Sequence, residues 1–302
     1  MELPEHLQNL YRHWDLHTVK HPPTAGSSPE DYLSEDLLWF LHERLSMWKK
    51  KEAHEDPPYT SDPILSQYRF CNVFREFDKQ TIAFHTLLNP IRDDFPLWLL
   101  NMFYCRMVAR PETITYTGPL SFDSKENEVF YKNLIESPRP RFGAPYVFPV
   151  SVIQKSPTPT RETFIAYFLP RIMGAMAQEI ETWKHVSVYH GVQKILPLFG
   201  YNLSFLWTEV LIDVAYQYPE HLDLFARFPI GPGSAPTFKA MASSEDPSEL
   251  VATLATASVD TGLTYQGKPL LLSAENWEGI GCEFRKYNNL KAGKGRRRIY
   301  RA

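Results

Sequence analysis

Apolar positions recur along most of this chain at intervals of three and four residues, the period of a helix with one buried face. Ser28-Pro29-Glu30-Asp31 supplies a capping hydroxyl, a proline and two acids, all suited to a helix start. Leu33, Leu37, Leu38, Leu41, Leu45 and Trp48 then form one stripe, and Lys49-Lys50-Lys51 suit the negative end of the dipole. From Asp62 to Thr81 the pattern predicts a second helix, with Phe70, Val73, Phe74, Phe77, Thr81 and Phe84 on one face. Arg69, Asn72, Arg75, Glu76 and Lys79 share its opposite face, Cys71 and Asp78 flank it, and Asn89-Pro90 ends it. A third helix, Phe95 to Arg106, is apolar nearly all round and is therefore expected at the centre of the fold. Arg106 at its end either reaches solvent or is buried against a carboxylate such as Glu76 or Glu283.

The pattern changes from Pro111 to Thr160, where Pro, Gly and aromatics predict loops with short extended pieces such as 144–148. Helical character returns from Arg161 to Trp183. Between Tyr189 and Tyr216 two helices flank the break Leu196-Pro197-Leu198-Phe199-Gly200, and Glu275 to Tyr287 is helical again. The expected fold is mainly α and multi-helical, with a Pro/Gly-rich irregular segment in the middle. The expected organisation is an N-terminal extension with one amphipathic helix over 1–60, then a helical domain with a basic tail over 61–302.

Composition sharpens this picture in two places. Hydrophobic residues at 43% and charged ones at 22% describe a globular chain with a sizeable core, and no apolar run approaches a membrane span. No charged-then-apolar targeting signal is evident. Three scattered cysteines, Cys71, Cys105 and Cys282, fit reduced thiols in an intracellular setting, nuclear if the source is eukaryotic. The net charge of −3 conceals an asymmetry: Arg285 to Ala302 holds eight Lys or Arg and no acid, so the remaining 24 basic and 35 acidic residues leave −11. A basic tail on an acidic body suits contact with phosphate, and equally a solubilising or import tail.

Three local motifs bear on chemistry. The polar face of the 62–81 helix mixes an amide, guanidinium groups and a carboxylate, whereas a solvated face usually repeats Lys and Glu. A solvated face and a binding face both account for it. His13, His17 and His21 are at helical spacing, but Trp14 follows His13 where a zinc hydrolase motif needs Glu, and no Cys lies nearby, so no metal is expected. Gly262-Leu263-Thr264-Tyr265-Gln266-Gly267-Lys268-Pro269 nearly matches a phosphate-binding loop. It fails at Pro269, which replaces the magnesium-binding hydroxyl and has no N–H, and this chain shows no phosphate-loop kinase domain.

The run Tyr68-Arg69-Phe70-Cys71-Asn72-Val73-Phe74-Arg75-Glu76-Phe77-Asp78 resembles the signature of the helical proteins named for the alpha-glutamyl/putrescinyl thymine pyrophosphorylases. The same helical domain accompanies phage 5-hydroxymethyluracil (5-hmdU) DNA kinases and is distantly similar to helix-hairpin-helix DNA glycosylases. Three further stretches carry the likeness: the Leu196–Gly200 hairpin, the Gly231-Pro232-Gly233 turn, and Cys282-Glu283-Phe284-Arg285-Lys286-Tyr287 with the terminus Gly293-Lys294-Gly295-Arg296-Arg297-Arg298. The hairpin departs from the family pattern, with Leu198 where Gly is usual.

The resemblance implies a helix-hairpin-helix, glycosylase-like fold and an enzyme of base hypermodification, in which an amine displaces pyrophosphate from an activated 5-hydroxymethyluracil in DNA. The residues it carries over are Arg69, Asn72, Arg75, Glu76, Asp78, Arg106, Asp213, Gly231, Gly233, Glu283, Lys286 and Tyr287. Arg69, Arg75, Arg106 and Lys286 are assigned to the departing phosphates, and Glu76 or Glu283 to the amine. Asn72, Asp78, Asp213, Gly231, Gly233 and Tyr287 are assigned to the substrate; Lys194, Gly200, Lys294, Arg296, Arg297 and Arg298 to DNA. Expected partners are DNA with a modified thymine, an amine or amino-acid co-substrate and a separate kinase; no cofactor and no membrane are called for. A non-catalytic reader of a modified or flipped base, a DNA glycosylase and a plain helical scaffold remain as alternatives. Neither Asp213 nor Asp223 sits in the Val-Asp-Thr-His context of a glycosylase base, which ranks base excision lower.

Overall fold

The computed structural model, which describes residues 1–21, 28–143 and 149–295, is mainly α, as the apolar periodicity predicts. Its helices in chain order are α1 (Glu5–Leu10), α2 (Glu35–Glu52), α3 (Pro63–Gln67), α4 (Lys79–Leu88), α5 (Phe95–Val108), α6 (Pro111–Thr117), α7 (Ser124–Glu136) and α8 (Val150–Lys155). There follow α9 (Arg161–Thr163), α10 (Leu169–Glu181), α11 (Val188–Phe199), α12 (Ser204–Gln217), α13 (Ala235–Met241), α14 (Pro247–Leu254) and α15 (Ala274–Lys291). Strands β1 (Val186–Ser187) and β2 (Leu222–Asp223) pair in parallel, and β3 (Thr264–Tyr265) and β4 (Lys268–Pro269) antiparallel. Two compact units result, one from 1–78 with 224–302, the other from 79–223, so the chain does not divide at the expected residue 60.

In the first unit the N-terminal residues are integral and do not form an appendage. Leu3 donates its N–H to the Thr264 carbonyl at 2.8 Å, and Trp14 Nε1 donates to Leu7 O at 2.9 Å. The stripe of α2 is buried as read: Leu37, Leu41, Leu45 and Trp48 all lie in the core. Its start lies further on, because the chain offers two capping signals in series. Ser28 precedes only a 3₁₀ turn, Pro29–Tyr32, whereas Ser34 accepts the Leu37 N–H at 3.3 Å ahead of Glu35 and Asp36. At the other end of the sequence, Ser273 and Asn276 form a reciprocal capping box for α15. The near-match to a phosphate loop is a β-hairpin, turned by Gln266 and Gly267 at φ 50° and 73°, in keeping with its rejection.

The continuous helix expected over 62–81 does not form. α3 ends at Gln67, the chain runs non-helically through Phe74, and a 3₁₀ turn, Arg75–Phe77, precedes Asp78. The physical reason is local. Phe, Cys, Asn and Val are weak helix formers, and Asp78 offers its carboxylate to the Asn72 backbone N–H at 3.0 Å, in place of a helical partner. Val73, Phe74 and Phe77 are nonetheless buried, so the apolar pattern was right about burial and wrong about geometry.

In the second unit α5 is central, with residues Trp98 to Val108 all buried, and it packs against α4, α6, α10 and α12. The loops expected over 111–160 are largely helical here. Pro111 sits at the first turn of α6, where a missing N–H costs nothing, and Asp123 caps α7. The extended piece expected at 144–148 lies outside the described residues. Between α9 and α10 a π-helical stretch, Phe164–Phe168, widens the helix ahead of Pro170. Pro197 does not break α11, which runs on to Phe199 until Gly200, at φ 78°, closes it with an N–H to Leu196 O at 3.0 Å.

Candidate functional site

Within the first unit, the non-helical stretch 69–72 lies bare enough along its backbone to need other partners, and three charged side chains supply them. Arg44, the one charge on the buried face of α2, donates from Nη2 to Phe70 O at 3.3 Å and Cys71 O at 2.9 Å. Lys286 on α15 donates from Nζ to Arg69 O. Glu283, one turn earlier on α15, accepts the Cys71 N–H at 3.2 Å and an Lys286 N–H at 3.1 Å. The Phe70 ring carries both cations, with Lys286 Nζ at 4.5 Å from its centroid and the Arg44 guanidinium at 5.6 Å. Arg69 is exposed, while Glu283 and Lys286 are half-buried. Arg44 holds this clamp from its buried side, while Arg69, Glu283 and Lys286 remain partly open to solvent.

Asn72 and Asp78 extend it. Asn72 donates from its backbone N and from Nδ2 to Asp78 Oδ1, each at 3.0 Å, and from Nδ2 to Phe77 O at 2.9 Å. Burial pushes the Asp78 carboxyl up to about 6, against the opposing pull of the Asn72 N–H and the nearby Arg75 charge. Tyr287 is buried against Phe40 and donates its hydroxyl to Asp62 Oδ2 at 2.9 Å; the same carboxyl group caps α3 through its other oxygen.

The Gly231-Pro232-Gly233 turn is strapped to the same α15. Arg285 Nη1 donates to Pro232 O at 2.6 Å, and Glu278 Oε1 accepts from Gly231 N at 3.3 Å and Ser234 Oγ at 2.6 Å. A side chain at 233 would place its Cβ 2.6 Å from Cys282 Sγ, so that glycine is needed for close approach. An open cavity of about 510 Å³ lies beside α13 and the last turns of α15, lined there by Phe284, Arg285, Asn288 and Asn289. It takes a different face of α15 from the one that carries Glu283 and Lys286.

Other expected members lie elsewhere. Glu76 does not join the clamp: it is fully buried in the first unit, with Oε1 2.7 Å from His13 Nε2 and 3.7 Å from His17 Nε2. His17 Nδ1–H donates to Leu271 O at 2.7 Å, and burial pushes this imidazole down to about 4, outweighing the Glu76 charge. The ligating atoms of His13, His17 and Glu76 lie within 4.8 Å of one another and could hold a metal ion.

Arg106 is buried, as one of the two readings had it, yet its partner is neither Glu76 nor Glu283. In the second unit it grips Asp213 through both carboxylate oxygens, Nε to Oδ2 and Nη2 to Oδ1, each at 2.6 Å. Gln217 Nε2 donates to His85 Nδ1 at 2.9 Å, which leaves His85 Nε2–H to donate to Asp213 Oδ1 at 3.1 Å. Arg106 Nη2 also reaches Thr81 Oγ1 at 3.3 Å. Asp213, expected at the substrate, is thus a wholly buried anchor between core helices. Lys194, midway along α11, and Gly200, at the α11–α12 turn, are exposed, as are Leu198 and Phe205; Lys294 is exposed beyond α15, and Arg296, Arg297 and Arg298 lie outside the described residues.

Sequence reasoning missed Arg44, Phe70 as a platform for cations, and the two histidines facing Glu76. Arg44 left a signal, since it falls on the apolar stripe of α2, where a charge needs a specific reason.

The fold and the clamp define an α-helical protein that gathers charged side chains from distant segments onto one short, irregular stretch. Residues 32–295 match the family model described as the helical domain of 5-hmdU DNA kinase, and the chain belongs to that family. Over 116 residues it is 29% identical to the 5-hmdU DNA kinase of Bacillus phage SP10, a match covering 35% of this chain and 18% of the phage protein. No solved structure matches. Among the described residues no helix is long and apolar enough to cross a membrane.

Proposed function

We propose that this protein acts on a thymine-derived, 5-hydroxymethyluracil-type base in DNA, joining an amine to the base with loss of pyrophosphate. The observation that carries the reading is the clamp. Segment 69–72 and residues 283–286 of α15, more than two hundred residues apart, are two of the stretches that carry the resemblance to the family, and they bond to each other directly. Family membership and the phage kinase's name support the substrate class.

In the proposed reaction the amine lone pair attacks the exocyclic carbon of the activated base. The carbon–oxygen bond to pyrophosphate breaks, pyrophosphate leaves with the bonding electrons, and the attacking nitrogen gives up a proton. Glu283 accepts that proton, exchanging its present hydrogen bonds for the amine. Lys286, Arg69 and Arg75 stabilise the departing phosphates. Arg106 has no part, because Asp213 already takes up its fork. The base leaves the helical stack to be reached; Lys194, Gly200 and the start of α12, in the second unit, are a separate contact for backbone phosphate. The amine is an amino acid or polyamine, and a separate kinase supplies the activated base.

The test is mass spectrometry of nucleosides from DNA bearing the pyrophosphorylated base, incubated with the protein and a pool of amines. The reading expects a nucleoside carrying amine in place of pyrophosphate. Glu283→Gln should lower its formation by about 10²-fold or more while DNA affinity stays within about twofold. DNA binding with no adduct from the wild type leaves a non-catalytic reader of modified bases, and release of free base indicates a glycosylase.

A further inference from the structure

His13, His17 and Glu76 form a second constellation that the proposed reaction does not use. All three are essentially inaccessible to solvent, at 1%, 0% and 0% exposure. The two histidines sit at the N-cap and near the end of the 3₁₀ turn Trp14–Thr18, which points both rings to one side. Glu76 arrives from the other 3₁₀ turn, Arg75–Phe77, 63 residues after His13. In the sequence Trp14 stands where a zinc hydrolase motif needs Glu and no Cys lies nearby, so no metal is expected from local spacing; the fold brings a carboxylate to the histidines from a distance.

Two features set this group apart from a satisfied core histidine. His17 uses Nδ1–H on the Leu271 carbonyl, so its Nε2 lone pair is the one turned toward Glu76, and Nε2 has no hydrogen-bond partner among the described residues. A backbone carbonyl on the distal ring nitrogen is the support that metal-bound imidazoles normally have, because it fixes the tautomer and raises ligand basicity. The surroundings are apolar and aromatic: the rings of Trp14, Phe74 and Phe225 lie within 5.0 to 5.8 Å of the His17 ring centre. Such a shell excludes water and strengthens charge interactions inside it.

We propose that His13, His17 and Glu76 bind one divalent first-row transition ion, of which zinc is the natural occupant of a two-imidazole, one-carboxylate set. Metal–ligand bonds of about 2.0–2.2 Å would separate neighbouring ligand atoms by roughly 3.3 Å in tetrahedral geometry. The 3.7 Å between His17 Nε2 and Glu76 already fits, and the 2.7 Å hydrogen bond of His13 lengthens as its proton is displaced. The ion staples the N-terminal segment to the stretch that leads out of the clamp. Both histidines precede the family-matched residues 32–295 and Glu76 lies within them; the proposed reaction uses none of the three, so the site stands or falls apart from it.

The test uses the untagged full chain, dialysed against zinc or cobalt(II) and assayed by elemental mass spectrometry, cobalt absorption and X-ray absorption spectroscopy. The expected result is about one ion per chain, with two imidazole ligands at the distance above. His17→Gln and Glu76→Gln should each bind at least about 100-fold more weakly, while far-UV circular dichroism stays unchanged. A folded wild type that retains no ion, or a folded variant that retains it with unchanged affinity, overturns the proposal. Should neither variant fold, the wild-type spectrum decides: two imidazoles in the coordination shell sustain the site, and a shell without them rejects it.

Discussion

Two charged groups in this protein use nearly the same residue types and do opposite things. In the second unit, Arg106, Asp213, His85 and Gln217 form a closed chain in which the guanidinium fork fills both carboxylate oxygens and the histidine is held on both sides. Nothing there touches solvent, so the set fixes α4, α5 and α12 against one another. In the first unit, Glu283 and Lys286 bond mainly to the backbone of 69–72, and they and Arg69 remain accessible. A partly exposed charge that holds a backbone atom can exchange it for a ligand at little cost, whereas a buried, saturated one cannot. Charge type therefore does not separate a site from a scaffold; saturation and burial do.

The comparison is broken most sharply at Arg106. Arg106→Ala leaves the Asp213 carboxylate buried without its fork and should cost about 3–5 kcal/mol, read as a lower midpoint in urea unfolding. The matching change Lys286→Ala should cost under about 1 kcal/mol, because its partners can turn to water. Equal losses at the two positions would abolish the distinction.

A smaller effect is expected at Asp78. Its folded carboxyl is raised to about 6 from an ordinary 3.8, so between those values the folded protein keeps a proton that the unfolded chain has released. Its favourable contribution is full below about pH 4 and is lost as pH rises through 6. Asp78→Asn should flatten that part of the stability–pH profile and add about 1–2 kcal/mol at pH 7, as measured by urea titration at a series of pH values. A profile unchanged by the substitution would place the titrating group elsewhere.

The smallest effect concerns the hairpin. Lys194→Ala should weaken binding to duplex DNA by a few-fold and reduce the salt slope of log K by about one, without altering stability. Fluorescence anisotropy across a range of salt concentrations reads both quantities; an unchanged slope would remove the α11–α12 turn from the DNA surface.

Much of the helical layout was readable in advance. The stripe of α2 and the all-round apolarity of α5 left little choice, since neither pattern can be satisfied except by burying one face or the whole helix. Proline misled the reading where it stands at a helix start, as in α6, or near a helix end, as in α11: the residue type is the same whether it ends a helix or fits one. The 62–81 stretch misled it more. Its aromatic spacing suits a helix, yet Asp78 captures the Asn72 N–H and the chain takes another path to the same burial.

By itself the sequence determined the mainly α class, the apolar stripe of α2 and the all-round burial of α5, and it singled out the segments around 70 and 285 for their unusual mix of polar residues. Hydrophobic periodicity and side-chain type are local properties, and a single chain displays them directly. Only the tertiary structure decided which charge meets which. Arg106 faces Asp213, Glu283 faces Cys71, and Glu76 faces two histidines more than fifty residues upstream, because ion pairs are chosen by distance in space, and distance in space is set by the packing of every helix between them.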